Sequence, residues 1–208
     1  MNSQIHGVLW EDIIKATNFF TGASNKTRSN TSIFDIESQF DRRQQLPTSV
    51  KSTKTSIICL ADARRFVSIE CDYRMVVGCY IQETTIKSFT HVYEFVITKQ
   101  QHKALIGALT PAFVECFHDI ISIRSLPNYA DARLVASAIN RIPFLTNSTE
   151  LSLNPKIDSK NQRRLQCSLS LDQIKQHSTW NEFRENYANL ILPFKIKSPS
   201  RNHQNEED

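Results

Sequence analysis

Glycine is scarce in this chain of 208 residues, which contains only four, at Gly7, Gly22, Gly78 and Gly107. They lie far apart, so no loop can bring successive backbone amides against a phosphate group, as nucleotide-binding loops do. This scarcity excludes the dinucleotide-binding and P-loop classes of enzyme.

Long apolar runs are lacking as well. No apolar stretch approaches the roughly 20 residues that a membrane-spanning helix needs, so the sequence predicts no transmembrane segment. The first 22 residues lack the basic region, apolar stretch and cleavage site of a secretory signal, and acidic Glu11 and Asp12 lie among their apolar residues. We therefore expect a protein that is not secreted.

Paired metal ligands are missing too. The five cysteines are odd in number and never form a Cys-x-x-Cys pair, which argues against a disulfide framework or a zinc knuckle. We interpret them as small buried hydrophobic residues in a reducing compartment. Cys116 and His118 project about 200° apart on a predicted helix and cannot share a metal, because helical ligand pairs need a spacing of three or four. The sequence predicts no metal site and no cofactor.

No established catalytic signature is present. Glu115 and Asp119 lie four apart on one predicted helix and could face one another, but we interpret them as a solvated acidic surface. Ser137, Ser168 and Ser170 lack the Gly-x-Ser-x-Gly context that exposes a nucleophile on a tight turn. The sequence therefore predicts a protein that is not an enzyme.

The first 55 residues are polar apart from one amphipathic segment. Leu9, Ile13, Ala16 and Phe20 recur at steps of three and four, which predicts a helix over residues 8–20. From residue 22 the chain is rich in Ser, Thr, Asn and Gln with few apolar residues to bury. We interpret residues 1–55 as an N-terminal helix and a basic flexible arm that stands apart from the core.

Residues 56–197 have the pattern of a single globular domain, followed by a disordered polar tail over residues 198–208. Segments rich in β-branched and aromatic residues predict strands, and apolar residues at helical spacing predict helices. The segregation of the two types predicts an α+β fold, with a mainly antiparallel sheet flanked by helices and a flexible N-terminal arm. Predicted strands are 57–60, 65–71, 75–81, 89–97, 164–171 and 191–196, and predicted helices are 100–109, 111–123, 129–142 and 172–190.

Positive charge is concentrated in loops around a neutral core. Residues 26–65 contain eight basic and four acidic side chains, residues 156–164 contain four basic and one acidic, and the net charge of the chain is +4. Such segments suit anionic surfaces, either acidic lipid or nucleic acid, although a mildly basic solvated linker would look the same. The candidate residues for binding an anionic surface are Arg42, Arg43, Lys51, Lys54, Arg64, Arg65, Lys160, Arg163 and Arg164.

The C-terminal segment resembles a known family. Its predicted strand over residues 164–171, its polar helix with Trp180 and the run Glu-Phe-Arg-Glu-Asn-Tyr-Ala at 182–188, and its strand over 191–196 are similar to the end of rhabdovirus matrix proteins. Chain length, basic balance, N-terminal arm and helix-flanked sheet also resemble that family, particularly its plant-infecting members.

The resemblance implies a non-enzymatic structural protein of the virion. It would self-associate as a homo-oligomer and bridge the viral nucleocapsid, or its RNA, to an anionic membrane surface, in the virion and in the host cytoplasm or at the inner membrane face. The alternative is a viral accessory RNA-binding protein, such as a movement protein or silencing suppressor, that uses the same basic loops.

Trp180 is the candidate residue for self-association. With Phe183, Tyr187 and Leu190 it forms a stripe on the predicted last helix that we expect to face the sheet. Two interpretations remain open at this point: plain hydrophobic core, or an anchor of the contact between copies, where large aromatic side chains are enriched.

Overall fold

The computed structural model describes residues 5–21, 33–83, 86–122, 129–142, 148–157, 163–182 and 194–197. These residues form six α-helices and eight strands arranged in two sheets, which confirms the predicted α+β class. The helices are α1 (Ile5–Lys15), α2 (Ala63–Val67), α3 (Lys99–Ile106), α4 (Pro111–Ser122), α5 (Tyr129–Asn140) and α6 (Leu171–Gln176). The strands are β1 (Thr48–Thr53), β2 (Ile57–Asp62), β3 (Tyr73–Glu83), β4 (Ile86–Ile97), β5 (Ser152–Ile157), β6 (Arg163–Ser170), β7 (Thr179–Glu182) and β8 (Phe194–Lys197).

The main sheet has the order β1-β3-β4, and both β7 and β8 pair with the far side of β4. β1 is parallel to β3, whereas every other described pair in the sheet is antiparallel. The second sheet has the order β2-β6-β5 and is antiparallel throughout. The mainly antiparallel character predicted from the sequence is therefore confirmed.

One hydrophobic core joins the two sheets. Alternate residues of β3 and β4, such as Tyr73, Met75 and Phe95, pack in a single cluster with Leu165 and Cys167 of β6 and with buried side chains of α2 to α5. Because strand residues alternate between faces, this cluster uses only one face of the main sheet. Something else must cover the other face.

The N-terminal segment covers that second face. Trp10 and Ile14 of α1 lie in a separate buried cluster with Val50 of β1, Val76 of β3 and Phe89 of β4. Residues 5–21 and 33–55 are thus part of the folded unit, and the expectation that they form an arm apart from the core is wrong. The segment has few apolar residues, but those few are large and find their partners on the sheet, which a count of apolar residues along the chain does not reveal.

A flat contact between an indole ring and a glycine fixes α1 on the sheet. The Trp10 ring stacks on Phe89 with centroids 4.3 Å apart, and its Nε1 donates to the Lys51 carbonyl at 2.8 Å. A Cβ at Gly78 would lie 2.6 Å from atoms of both Trp10 and Phe89, so only glycine leaves room for the indole over β3. The single glycine of this strand is therefore a packing requirement.

A buried arginine lies on the same face. Arg74 of β3 is 1% exposed, and its guanidinium forms ion pairs with Asp41 and with Glu94 of β4. Arg43 pairs with the same Glu94 through both terminal nitrogens, at 3.1 and 2.9 Å. Four charged groups thus tie the segment before β1 to the centre of the main sheet.

The predicted strand over residues 65–71 is wrong, because α2 occupies its first half. Asp62 caps this helix by accepting from the Arg64 amide at 2.9 Å, and Ala63, Phe66 and Val67 are buried at helical spacing. The alternation of apolar and polar residues over 65–71 predicts a strand. The same stretch also carries a helical repeat of buried residues that begins two residues earlier, at Ala63, and the structure follows this repeat.

The predicted helix over residues 172–190 is also wrong. A capping box between Ser170 and Gln173 starts α6 as expected, but the helix ends at Gln176 and Thr179–Glu182 pair with β4. Residues 183–190 and the tail over 198–208 lie outside the described residues. β5 was not predicted, because Pro155 breaks its strand pattern; the strand tolerates proline at the edge of its sheet.

The cysteines are less buried than expected. Cys167 is buried and Cys79 is half-buried, whereas Cys59, Cys71 and Cys116 are exposed, and all five are free thiols. Burial raises the pKa of the Cys167 thiol. The interpretation of buried hydrophobic cysteines therefore fits Cys167 and is wrong for the three exposed ones.

We expect Gly78→Ala to destabilise the protein by about 1–3 kcal/mol, because the added methyl group forces the Trp10 ring off β3. Urea unfolding measures this loss. A double-mutant cycle with Trp10→Phe provides the control: the cost of Gly78→Ala should shrink when the smaller ring is present. Equal costs in both backgrounds would contradict a clash with the indole.

Candidate functional site

The structure uses three of the predicted surface-binding cations in ion pairs of the fold. Arg43 pairs with Glu94, Lys51 with Asp35 at 3.1 Å, and Arg64 with Asp62 at 3.2 Å. Arg64 also reaches Glu115 at 3.4 Å, so it joins α2 to α4. These side chains stabilise local structure, and their charge is largely compensated where they lie.

Four other predicted cations are exposed. Arg42 lies beside Thr21 and contacts its hydroxyl, and Lys54 and Arg65 have exposed side chains near β1 and on α2. Arg164 is exposed on β6, whereas its neighbour Arg163 is half-buried. Lys160 lies outside the described residues.

Several basic side chains of the described chain lie at one end of the second sheet. There Lys156 of β5 and Arg164 of β6 are direct cross-strand partners, and Arg163 is the partner of Ile157. Arg133 of α5 donates from Nε to the Ile157 carbonyl at 3.0 Å, which brings a fourth basic side chain to the same place. We call Arg133, Lys156, Arg163 and Arg164 the cationic end.

Two cations of this group, Lys156 and Arg164, are exposed and face each other across the strands. Two like charges directly opposite each other on adjacent strands destabilise a sheet, and neither Lys156 nor Arg164 has an acidic partner within 4.0 Å among the residues described. Nη1 of Arg163 is buried from solvent and has no hydrogen-bond partner there. An anion between Lys156 and Arg164 would reduce their mutual repulsion.

Only part of the cationic end could be predicted. Arg163 and Arg164 were candidates, and Lys156 belongs to the charge-rich stretch that contains them. Arg133 was missed, because it lies 24 residues before Ile157 in a helix with ordinary composition. Only the packing of α5 on β5 brings the two together, and no local sequence signal reports that contact.

Trp180 lies on β7 and not on a helix. Its side chain is 39% exposed, its cross-strand partner is Phe95, and it packs edge-on against Tyr93 at 6.1 Å. Lys175 of α6 lies over both rings, with Nζ 4.3 Å from the Tyr93 centroid and 4.6 Å from that of Trp180. The stripe predicted with Phe183, Tyr187 and Leu190 falls on residues outside the described set.

A cleft of about 70 Å³ lies between the main sheet and α2. Its walls include apolar Phe34 and Phe66 together with Lys51, Asp62 and Arg65. Lys51 and Asp62 already hold the ion pairs described above. The cleft therefore has an apolar interior, and the charges of Lys51 and Asp62 at its border are compensated by their ion pairs.

Glu115, His118 and Asp119 form the one group of three possible metal ligands in the part of the chain that the structure describes. Their ligand atoms lie within 4.8 Å of one another on the exposed side of α4. Glu115 and Asp119 do face the same side, as their spacing suggested, and Glu115 pairs with Arg64 at 3.4 Å. The pairing with an arginine favours a surface ion cluster over a cation site.

Tyr73 and His102 form a buried polar pair under α3. The Tyr73 hydroxyl and Nδ1 of His102 lie 3.1 Å apart, and the imidazole is fully buried. Burial lowers the pKa of His102 to about 4, against the weaker opposing effects of the Phe66 backbone and Glu70. Burial likewise raises the pKa of Tyr73, so both groups are neutral at neutral pH.

Comparisons with family models, curated proteins and solved structures found no match for this chain. Among the residues described, no single helix is long and apolar enough to cross a membrane, and α3 and α4 reach that length only as a pair bent by 46°.

His102 predicts how stability depends on pH. The unfolded chain takes up a proton near pH 6.5, whereas the folded protein does so only near pH 4, so the free energy of unfolding should fall by about 3 kcal/mol between these values. Urea unfolding at several pH values measures this slope, which His102→Gln should flatten. His177→Gln is the matched control and should keep it. An unchanged slope in His102→Gln would show that His102 is not the group responsible.

Proposed function

We propose that this protein is a non-enzymatic structural protein of matrix type that attaches to an anionic membrane surface and self-associates. The observation that carries the proposal is the cross-strand pair of Lys156 and Arg164 at the cationic end, two exposed cations that have no acidic partner within 4.0 Å among the described residues. The resemblance of the C-terminal sequence to rhabdovirus matrix proteins supports the same assignment, with a place in the virion and at the inner membrane face.

Electrostatics favours the cationic end over the other basic side chains as the surface that attaches to acidic lipid. A basic residue near an acidic lipid surface contributes about 1 kcal/mol, so cations must act together to hold a protein there. Arg43, Lys51 and Arg64 would have to give up ion pairs to take part. Lys156 and Arg164 lose nothing on binding, and their mutual repulsion falls when an anion lies between them.

RNA is the second candidate partner. The aromatic rings of Tyr93 and Trp180 lie side by side with Lys175 over them, and single-stranded nucleic acids bind to clusters of aromatic and basic side chains. This cluster supports the accessory RNA-binding alternative, in which the cationic end would contact phosphates. Flotation with anionic vesicles and an RNA gel shift distinguish the two partners.

Self-association is assigned to β7. This short strand pairs with β4, and its four residues are all exposed. An exposed edge strand offers unpaired backbone groups to a second chain, and a tryptophan on it offers an apolar anchor. The exposure of Trp180 favours the interpretation as a contact between copies over that of plain core.

Lys156→Gln with Arg164→Gln should weaken binding to vesicles that contain acidic lipid by about 30-fold, since two contributions of ~1 kcal/mol are lost. The dependence of binding on salt should become shallower, and the free energy of unfolding should change by no more than about 0.5 kcal/mol. Vesicle flotation over a range of salt concentrations measures the first two effects.

The matched control removes the same charge elsewhere. Lys99→Gln with Lys103→Gln takes two cations from α3, where Lys99 already pairs with Glu70. This variant should bind vesicles nearly as well as the natural protein. Equal loss in both double variants would mean that net charge, not the cationic end, controls attachment.

Trp180→Ala should shift the protein towards the monomer in sedimentation while lowering the free energy of unfolding by less than about 1.5 kcal/mol. A half-exposed side chain gives up less buried area than a core tryptophan, whose loss costs about 3–5 kcal/mol. Trp180→Phe should retain partial assembly. Loss of stability on the core scale, or unchanged assembly, would contradict the contact at β7.

A further inference from the structure

The outer side of α5 carries apolar residues that the described fold leaves uncovered. Leu134 is 70% exposed, more than any other large apolar side chain that the structure describes, and Ile142, in the turn that ends the helix, is 42% exposed. Ala138 lies one turn after Leu134 on the same side and is exposed as well. The opposite side of the helix, with Ala132 and Ala136, is buried in the main core. The outer side of a surface helix is typically polar, so the apolar residues there call for a partner.

The helix α5 lies along the edge of the second sheet. Nε of Arg133 donates to the Ile157 carbonyl and Nδ2 of Asn140 donates to the Leu153 carbonyl, both at 3.0 Å. The two donors are separated by about two helical turns, or roughly 10 Å, and the two acceptors by a similar length of strand, roughly 13 Å. The helix therefore runs beside β5 in the opposite direction. Because β5 is the edge strand, α5 extends the second sheet sideways.

The outer side of α5 and the outer face of the second sheet belong to one surface. Ile157 of β5 and Ala136 of α5 both lie in the main core. Since side chains alternate along a strand, Lys156 points to the outer face of the sheet, where Arg164 of β6 is its cross-strand partner. The helix and the strand thus bury one side in the same core and turn the other side to solvent together.

This surface places cations beside the apolar residues. Lys156 and Arg164 are exposed and have no acidic partner among the described residues, and the exposed Arg141 lies two turns after Leu134 on the same side of the helix. The acid of α5, Asp131, is half-buried and already interacts within the fold. Apolar residues bordered by basic ones are typical of helices that lie in the headgroup region of acidic membranes. A symmetric contact between two copies of this surface would instead bring like charges together.

We propose that the outer side of α5 inserts into the headgroup region of an acidic lipid bilayer, with Leu134 and Ile142 among the acyl chains and Arg141, Lys156 and Arg164 at the lipid phosphates. The inference rests on the proposed attachment to acidic membranes and deepens it, because it adds an apolar anchor to electrostatic attraction. Salt screens the attraction between exposed charges, whereas the burial of apolar surface does not depend on that attraction.

The first test removes the anchor and keeps the charge. Leu134→Gln should fold normally, because the side chain is mostly exposed and glutamine favours helix. It should bind vesicles of phosphatidylcholine and phosphatidylserine about tenfold more weakly in flotation, as expected when one leucine no longer leaves water. Ile142→Gln should also weaken binding. Ile81→Gln is the matched control, because it removes a 56% exposed isoleucine from β3, and it should bind like the natural protein.

The second test measures insertion directly. Leu134→Trp places a fluorophore at the anchor, and lipids brominated on their acyl chains should quench its emission when vesicles bind. Ile81→Trp is the control and should show only the quenching of the natural protein, which contains Trp10 and Trp180.

Three results would overturn the inference: unchanged flotation of both Leu134→Gln and Ile142→Gln, an equal loss in Ile81→Gln, or no added quenching in Leu134→Trp. A shift of Leu134→Gln towards the monomer in sedimentation, with flotation unchanged, would assign this side of α5 to contacts between copies and overturn it as well. If Leu134→Gln does not fold, Ile142→Gln decides by the same measurements.

The same experiments separate the anchor from the proposed attachment. If the natural protein does not float with acidic vesicles, the proposed attachment and the anchor fail together. If Lys156→Gln with Arg164→Gln weakens flotation while Leu134→Gln does not, the attachment stands and the anchor is overturned.

Discussion

The buried charge of Arg74 is the constraint on which the arrangement of the main sheet depends. An ion removed from water costs several kcal/mol unless good partners replace its hydration, and Arg74 lies inside the sheet with 1% of its surface exposed. Asp41 and Glu94 supply the opposite charges. Burial alone would raise the pKa of Asp41, but hydrogen bonds from Arg74 and from the backbone amides of Arg43 and Leu46 outweigh it and hold the pKa below its ordinary value. The pair therefore stays ionised at neutral pH.

This ion cluster explains why a polar N-terminal segment belongs to the fold. Asp41 reaches Arg74 only if the chain before β1 crosses the face of the sheet, and the Arg74 amide then donates to the Pro47 carbonyl at 2.9 Å. From there β1 continues in parallel with β3. The same placement lets Trp10 lie over Gly78 and close the second hydrophobic cluster. Electrostatic pairing and aromatic packing thus act on the same face of one strand.

The elements that could be predicted are those whose signal is local. β3, β4 and β6 carry runs of β-branched and aromatic residues, and α3 begins at a capping box of Thr98 and Gln101, so their patterns suffice. The helix of the N-terminal segment could be predicted from its apolar spacing, but its place on the sheet could not, because the partners that hold it there, Gly78 and Arg74, lie far along the chain. The candidate site divides in the same way: Arg163 and Arg164 stand out as a charged pair in the sequence, whereas Arg133 joins them only through the packing of α5.

The basic side chains therefore fall into two groups with different physical roles. Where a cation is buried or half-buried, as Arg74 and Arg43 are, the fold supplies a carboxylate, since low solvent exposure makes an unpaired charge expensive. Where cations are exposed, as Lys156 and Arg164 are, water screens their repulsion and the sheet tolerates them at little cost. Arg163 lies between the two groups, because its side chain is half-buried and its Nη1 makes no hydrogen bond with the described residues. Nε of the buried Arg74 is likewise without a hydrogen bond there, so the fold compensates the charge of a guanidinium without satisfying each of its donors.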